Sequence, residues 1–161
     1  MHNKYYLRNA ITLNVNNKKY DAIAIKITAV EIRKHRHQFK YFDFTNSIKD
    51  GFAVYKICRA DEEDIFQGMV AVKVSTGFLE CGNMEISDLN KSPISMYNYV
   101  GKCIIGLCCK ISEDEGFGGA IAFFAKNNLF GYYGRYGADL LFGLRMFLDE
   151  KAAKKLIDLY F

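Results

Sequence analysis

The chain is short of the residues that interrupt or divide structure. It has a single proline and no tryptophan in 161 residues, and no Pro-, Gly- or Ser-rich stretch separates one part from another, which excludes a linker-joined pair of domains. No apolar run approaches the roughly 20 residues of a membrane-spanning helix. Charge of one sign is also scarce: 22 basic residues against 18 acidic ones leave a net charge of +4. That balance suits an anionic cofactor but is too weak to establish nucleic-acid binding. The five cysteines, Cys58, Cys81, Cys103, Cys108 and Cys109, include no Cys-x-x-Cys pair, so neither a zinc ribbon nor a thioredoxin-type redox motif is present. Met1 to Tyr6 carries no apolar segment of the kind that marks a secretory signal, and a reducing cytoplasm is the expected location.

Half of the chain is hydrophobic and 15% is aromatic, enough for one well-filled core over residues 1–161. The N-terminal part alternates like strands. Tyr6–Val15 leads through the turn signal Asn16-Asn17 to Asp21–Ile27, where Ile23, Ile25 and Ile27 share a face. Ala29–Phe39 reads as a short helix with a basic side, and Tyr41–Asp50 as a loop or broken helix. A hairpin follows, Phe52–Arg59 and Ile65–Val74 about the acidic turn Ala60–Asp64, and then a third strand, Phe78–Leu89, where Gly82 marks a bulge.

The C-terminal half is more distinctive. Val100, Cys103, Ile104, Leu107, Cys108 and Ile111 recur at helical spacing, and Gly116 ends that helix. The unbroken apolar run Ala120–Ala125 suits a strand covered on both faces. Strand, helix and buried strand in this order predict a parallel pair of Phe78–Leu89 with Ala120–Ala125. A second short helix, Asn128–Tyr136, is stopped by Gly137; Leu140–Phe147 reads as one more strand. Asp149 caps a last helix, Glu150–Tyr160. The fold class is therefore α/β (α+β), with a mixed, mostly antiparallel sheet and helices flanking it.

Few segments carry chemistry. Asn98-Tyr99-Val100-Gly101-Lys102-Cys103 places a glycine where a loop opens the amphipathic helix. Free backbone N–H groups and the positive helix end there favour an anion, Gly101 permits close approach, and Lys102 adds charge. Glu80, Glu85 and Asp88 lie on or beside the third strand. His35-x-His37 sits among Arg33, Lys34 and Arg36, which would repel a cation, so it reads as a solvated face and no metal site is assigned.

The order hairpin, long strand, glycine loop, amphipathic helix, buried strand and short helix ending in Tyr-x-x-x-Gly resembles the GNAT superfamily of N-acetyltransferases. The loop is similar to that family's Gln/Arg-x-x-Gly-x-Gly/Ala, with Asn98 first, Gly101 in the central glycine position and Cys103 last. Ile65–Val70 looks like its second hairpin strand. Tyr132–Ala138 looks like its Leu-Tyr-Glu-Lys-Leu-Gly-Phe signature, with Tyr133 and Gly137 in register and Lys126 where an asparagine is usual.

The resemblance implies the acyl-CoA N-acyltransferase fold with a splayed parallel pair. It also implies direct acetyl transfer from acetyl-coenzyme A to a primary amine, small molecule or protein, without a metal. Asn98, Tyr99, Val100, Gly101, Lys102, Cys103 and Lys126 would then bind the cofactor. Backbone N–H groups near Leu89 and Asn90 would polarise the thioester, Tyr133 would be the general acid, and Asp88 is the carboxylate nearest the expected place of the base. The same fold also serves non-catalytic acyl-CoA-binding or interaction modules. A homodimer is left open; no membrane is expected as partner, nor a nucleic acid.

Overall fold

The structure is a computed structural model. It describes every residue of the chain apart from the side chain of Asn127. Nine strands form one sheet: β1 (Lys4–Leu13), β2 (Lys18–Ile27), β3 (Ala53–Arg59), β4 (Gly68–Val74), β5 (Leu79–Ile86), β6 (Tyr97–Asn98), β7 (Ile121–Phe124), β8 (Ala138–Phe142) and β9 (Arg145–Leu148). Their spatial order is β6-β1-β2-β3-β4-β5-β7-β9-β8. Every neighbouring pair is antiparallel except β5 with β7, which runs parallel as the strand–helix–strand order predicts.

The helices are α1 (Ala29–Lys34), α2 (Phe44–Lys49), α3 (Val100–Asp114), α4 (Phe130–Gly134) and α5 (Glu150–Tyr160). Local chemistry sets their starts. Thr28 and Glu31 form a reciprocal capping box on α1, Asp43 accepts from Thr45 N–H at α2, and Asp149 accepts from Ala152 N–H at α5. Among the described residues no helix is long and apolar enough to cross a membrane.

The sheet buries both faces. On one, Leu7, Ile11, Tyr55, Val70, Val72 and Leu79 meet the apolar side of α3 and, beyond it, Leu156 and Ile157 of α5. On the other, Ile23, Ile27, Val54, Met69 and Ala71 are covered by Ile32, Phe39, Phe44 and Phe66. Ile25 packs against the edge of this second layer, so the predicted isoleucine face is real.

Several boundaries differ from the sequence reading. Ala29–Phe39 is not one helix: α1 ends at Lys34 and a 3-10 turn covers Arg36–Gln38. The segment Tyr41–Asp50 contains α2. Leu140–Phe147 is two strands rather than one, β8 and β9, turning at Gly143 with φ +53°. The signal hidden in that apolar run is the lone glycine, which takes the left-handed conformation of a tight turn.

At Gly106 the close approach of α3 and α5 requires glycine. A Cβ there would lie 2.5 Å from Cδ2 of Tyr160, a ring only 2% exposed. Gly106→Val is expected to destabilise the fold by about 2–3 kcal/mol through overpacking, lowering the thermal midpoint by roughly 4–10 °C. A thermal unfolding curve unchanged from that of the wild type would refute this account of the α3–α5 contact.

Candidate functional site

β5 and β7 pair over only two positions, Leu79 with Ile121 and Glu80 with Ala122. Beyond them the strands part: β7 stays with β9, while β5 bulges against β4 between Cys81 and Met84. The bulge lies at Gly82–Asn83, where the sequence placed it. The gap is a cleft of about 940 Å³ whose walls include Met84, Glu85, Phe124, Lys126, Tyr132 and Tyr133, and whose inner end reaches Asn98–Gly101.

Hydrogen-bond parity shows what β5 presents to this gap. Ser87 N–H donates to Gln67 O on the β4 side at 2.9 Å, and Ser75 N–H donates to Phe78 O at 3.0 Å. The intervening one-residue bulge shifts the alternation, so Glu85 points its backbone groups at β4, and Met84 and Ile86 point theirs into the cleft. No sequence signal identified these two residues, because a backbone group has no residue type.

The inner end of the cleft is the start of α3. β6 holds Tyr97 and Asn98 against Leu13 and Thr12 of β1, and Asn98 Nδ2 donates to Asn14 Oδ1 at 3.2 Å. Tyr99 then takes the left-handed conformation (φ 71°, ψ 11°) and contributes no side-chain cap. The first helical bond is Cys103 N–H to Tyr99 O at 2.9 Å. The N–H groups of Val100, Gly101 and Lys102 therefore have no acceptor within the helix and stand at its positive end. A Cβ on Gly101 would come within 2.5 Å of the Tyr132 hydroxyl, so a larger residue here would have to displace that side chain.

The other side chains expected at the cofactor are placed differently from one another. Cys103 is fully buried in the core, where burial pushes its thiol above the ordinary value. Lys102 lies off the cleft wall, with its ammonium 5.8 Å from the Tyr136 ring. Lys126 lies on the wall, but its ammonium reaches the rings of Tyr41 and Phe42, at 4.5 and 5.8 Å.

The expected thioester-polarising groups at Leu89 and Asn90 are already committed. Leu89 N–H donates to Ser87 Oγ at 3.3 Å and Asn90 N–H to Ser87 O at 2.8 Å, both within a short 3-10 turn. The side chain of Asn90 is a buried tie instead: its Nδ2 donates to Gln67 Oε1 at 2.9 Å, and its Oδ1 accepts from Tyr97 N–H at 2.9 Å.

The three carboxylates named from the sequence are all paired. Glu80 takes a bidentate ion pair from Arg145, at 2.6 and 2.5 Å. Glu85 is buried and accepts from the N–H groups of Tyr41 and Phe42, at 3.2 and 3.1 Å, and from Lys91 Nζ at 3.0 Å. Asp88 accepts from Lys91 at 2.8 Å and pairs with Lys40 at 3.3 Å. The Lys91 hydrogen bond, with Lys40 beside it, holds its carboxyl below the usual range. Asp88 does not line the cleft. A spacing argument places these residues near the site but cannot see the lysines that occupy them.

Tyr133 faces the cleft with its ring 4.7 Å from that of Phe123. Burial is the main cause that raises its hydroxyl above the ordinary tyrosine value, with Cys81 and Cys108 nearby adding to it. Tyr132 is raised in the same way. Both therefore keep their protons at neutral pH and can donate. Away from the cleft, the ring of His35 stacks on Phe66 at 3.6 Å and its nitrogens face Glu31 O and Asp64 O, so its polar contacts are to the protein backbone.

No protein-family model matches the chain, and no curated protein matches it. Solved structures do. The AtaTR complex bound with acetyl-coenzyme A is 13% identical at a TM-score of 0.58, over 84% of this chain and 97% of that one. The PaiA N-acetyltransferase of Thermoplasma acidophilum in complex with coenzyme A is 11% identical at 0.58, over 80% and 98%. The AtaT–AtaR complex bound to DNA is 15% identical at 0.58, over 83% and 97%. With its single parallel pair in an otherwise antiparallel sheet, flanked by helices, the chain has the fold of the GNAT acyl-CoA N-acyltransferases.

Proposed function

We propose that this protein transfers the acetyl group of acetyl-coenzyme A directly to a primary amine. One observation carries the reading: the gap between β5 and β7 opens onto the uncapped start of α3. An extended chain ending in a pyrophosphate fits such a site, its anion against the N–H groups of Val100, Gly101 and Lys102 and its arm along the free edge of β5. Arg135, on the wall beside Tyr132, adds positive charge at that end. Met84 and Ile86 replace Leu89 and Asn90 as the backbone donors that face the thioester.

Tyr133 is the group that protonates the departing thiolate, because its hydroxyl is protonated, half-buried and on the cleft wall. The neutral amine adds to the thioester carbon, the carbon–sulfur bond breaks with its electron pair on sulfur, sulfur takes the Tyr133 proton, and the proton shed by the new amide nitrogen returns to the tyrosinate. Asp88 is not retained as the base, since its carboxylate serves Lys91 and Lys40.

The second reading is a module that binds acetyl-coenzyme A without turning it over, and the lack of an unpaired carboxylate among the described residues of the cleft favours it. Thiol release separates the two. With a working acceptor, Tyr133→Phe is expected to lower kcat by about 10²–10⁴-fold with cofactor affinity nearly unchanged; near-normal turnover would end the catalytic assignment. Gly101→Val is expected to weaken acetyl-coenzyme A binding at least about tenfold in a thermal-shift titration, because the new side chain meets Tyr132 and the anion's place together. Undiminished affinity in that variant would remove the start of α3 from the site.

A further inference from the structure

The outer end of the cleft bears on which amine is accepted. The charged residues on the walls of the cleft are Glu80, Glu85, Lys91, Lys126 and, toward the start of α3, Arg135. Both carboxylates are neutralised from within, Glu80 by Arg145 and Glu85 by Lys91. Among the described residues, no carboxylate pairs with Lys126. Its ammonium stands 4.5 Å from the centroid of Tyr41, and that of Lys91 stands 4.4 Å from the same ring. Lys40 is next in sequence and closes the group against Asp88. Lys91 and Lys40 are taken up by Glu85 and Asp88, so the net positive charge beside Tyr41 is that of Lys126.

This has a chemical consequence for the nucleophile. An attacking amine must be neutral, and the cleft offers no unpaired carboxylate to take its proton. Nearby ammonium groups disfavour a second ammonium, which shifts an entering amine toward its neutral form. The benefit is largest for amines that are weakly basic to begin with. An α-amino group titrates near 8 and a lysine side chain near 10.4, so at neutral pH the α-amine is neutral more often by roughly two powers of ten. The walls there are otherwise aromatic and apolar, with Tyr41 67%, Phe124 64% and Leu144 43% exposed, so side chains following the amine have surfaces to rest on.

Resting on the acetyl-transfer reading above, we propose that the acceptor is the α-amino group of a peptide that begins with acidic residues. Lys126 receives the negative charge and Tyr41 and Phe124 flank the chain. Polyamines and lysine side chains are disfavoured, because at neutral pH they enter more fully protonated than an α-amine and meet the positive charge of Lys126.

The test compares four acceptors on the full chain at fixed acetyl-coenzyme A, read by thiol release: an acidic peptide with a free N-terminus and no lysine, the same peptide N-blocked with one lysine, free aspartate, and spermidine. The free-N-terminus peptide is expected to exceed each of the others at least about tenfold in kcat/KM. That advantage should shrink as salt rises and fall at least about tenfold in Lys126→Gln, with acetyl-coenzyme A affinity by thermal shift changed less than about threefold. Spermidine or the lysine peptide matching the acidic N-terminus would overturn the proposal while leaving acetyl transfer standing. Free aspartate matching it would overturn the peptide assignment, and turnover of none of the four by a protein that binds acetyl-coenzyme A would overturn it as well. Absence of the cofactor thermal shift would instead sink the acetyl-transfer reading on which it rests.

Discussion

The short parallel pairing of β5 with β7 governs everything around it. Two strands that stayed paired would satisfy each other's backbone groups and leave no room between them. Here β7 is taken over by β9, and β5 is bent by its bulge at Gly82–Asn83. The result is an open seam in an otherwise continuous sheet, with Met84 and Ile86 presenting peptide groups to it. Backbone groups left unpaired along such a seam are open to water or to a ligand's hydrogen bonds. Because α3 connects the two parted strands, its N-terminus opens onto the seam as a consequence of chain order.

A set of polar ties keeps the walls in place. Asn90 links Gln67, next to β4, to Tyr97 shortly before α3, so the loop that opens α3 is tied to the sheet as well as to its own short strand. Glu85 does the same for the opposite wall by holding the N–H groups of Tyr41 and Phe42. Buried polar groups of this kind are tolerated when every member has a partner. Among the described residues no buried side-chain nitrogen or oxygen is left without one. Residues that look like acid–base chemistry in the sequence thus form part of the framework that shapes the cleft.

Periodicity made most of the fold legible. The stripe Val100–Ile111, the buried run Ala120–Ala125 and the Asn16-Asn17 turn all correspond to observed elements, and the parallel pair follows from their order. Where periodicity is weak the reading failed: β8 and β9 together look like one apolar run until the glycine between them is given its positive φ. Of the residues that line the cleft, Gly101 and Tyr133 stand out in the sequence by type and spacing. Tyr132 does not stand out, since it meets a residue 31 positions away, nor do Met84 and Ile86, which present backbone groups that every residue carries. The pairing of Asp88 and Glu85 was not legible either, because Lys91 meets them only after the chain folds.

The ion pair between Glu80 and Arg145 sits at the last paired position of β5 and β7 and reaches over to β9. It acts like the stop of a zipper. On one side the strands are closed, and on the other they are free to diverge. The depth of the cleft is thus set by a charged fastening in the sheet itself, and side chains along the walls adjust only its width and lining. Substitutions at Tyr41, Phe124 or Leu144 would therefore change the lining of the cleft and leave its depth as it is, because none of them takes part in that fastening.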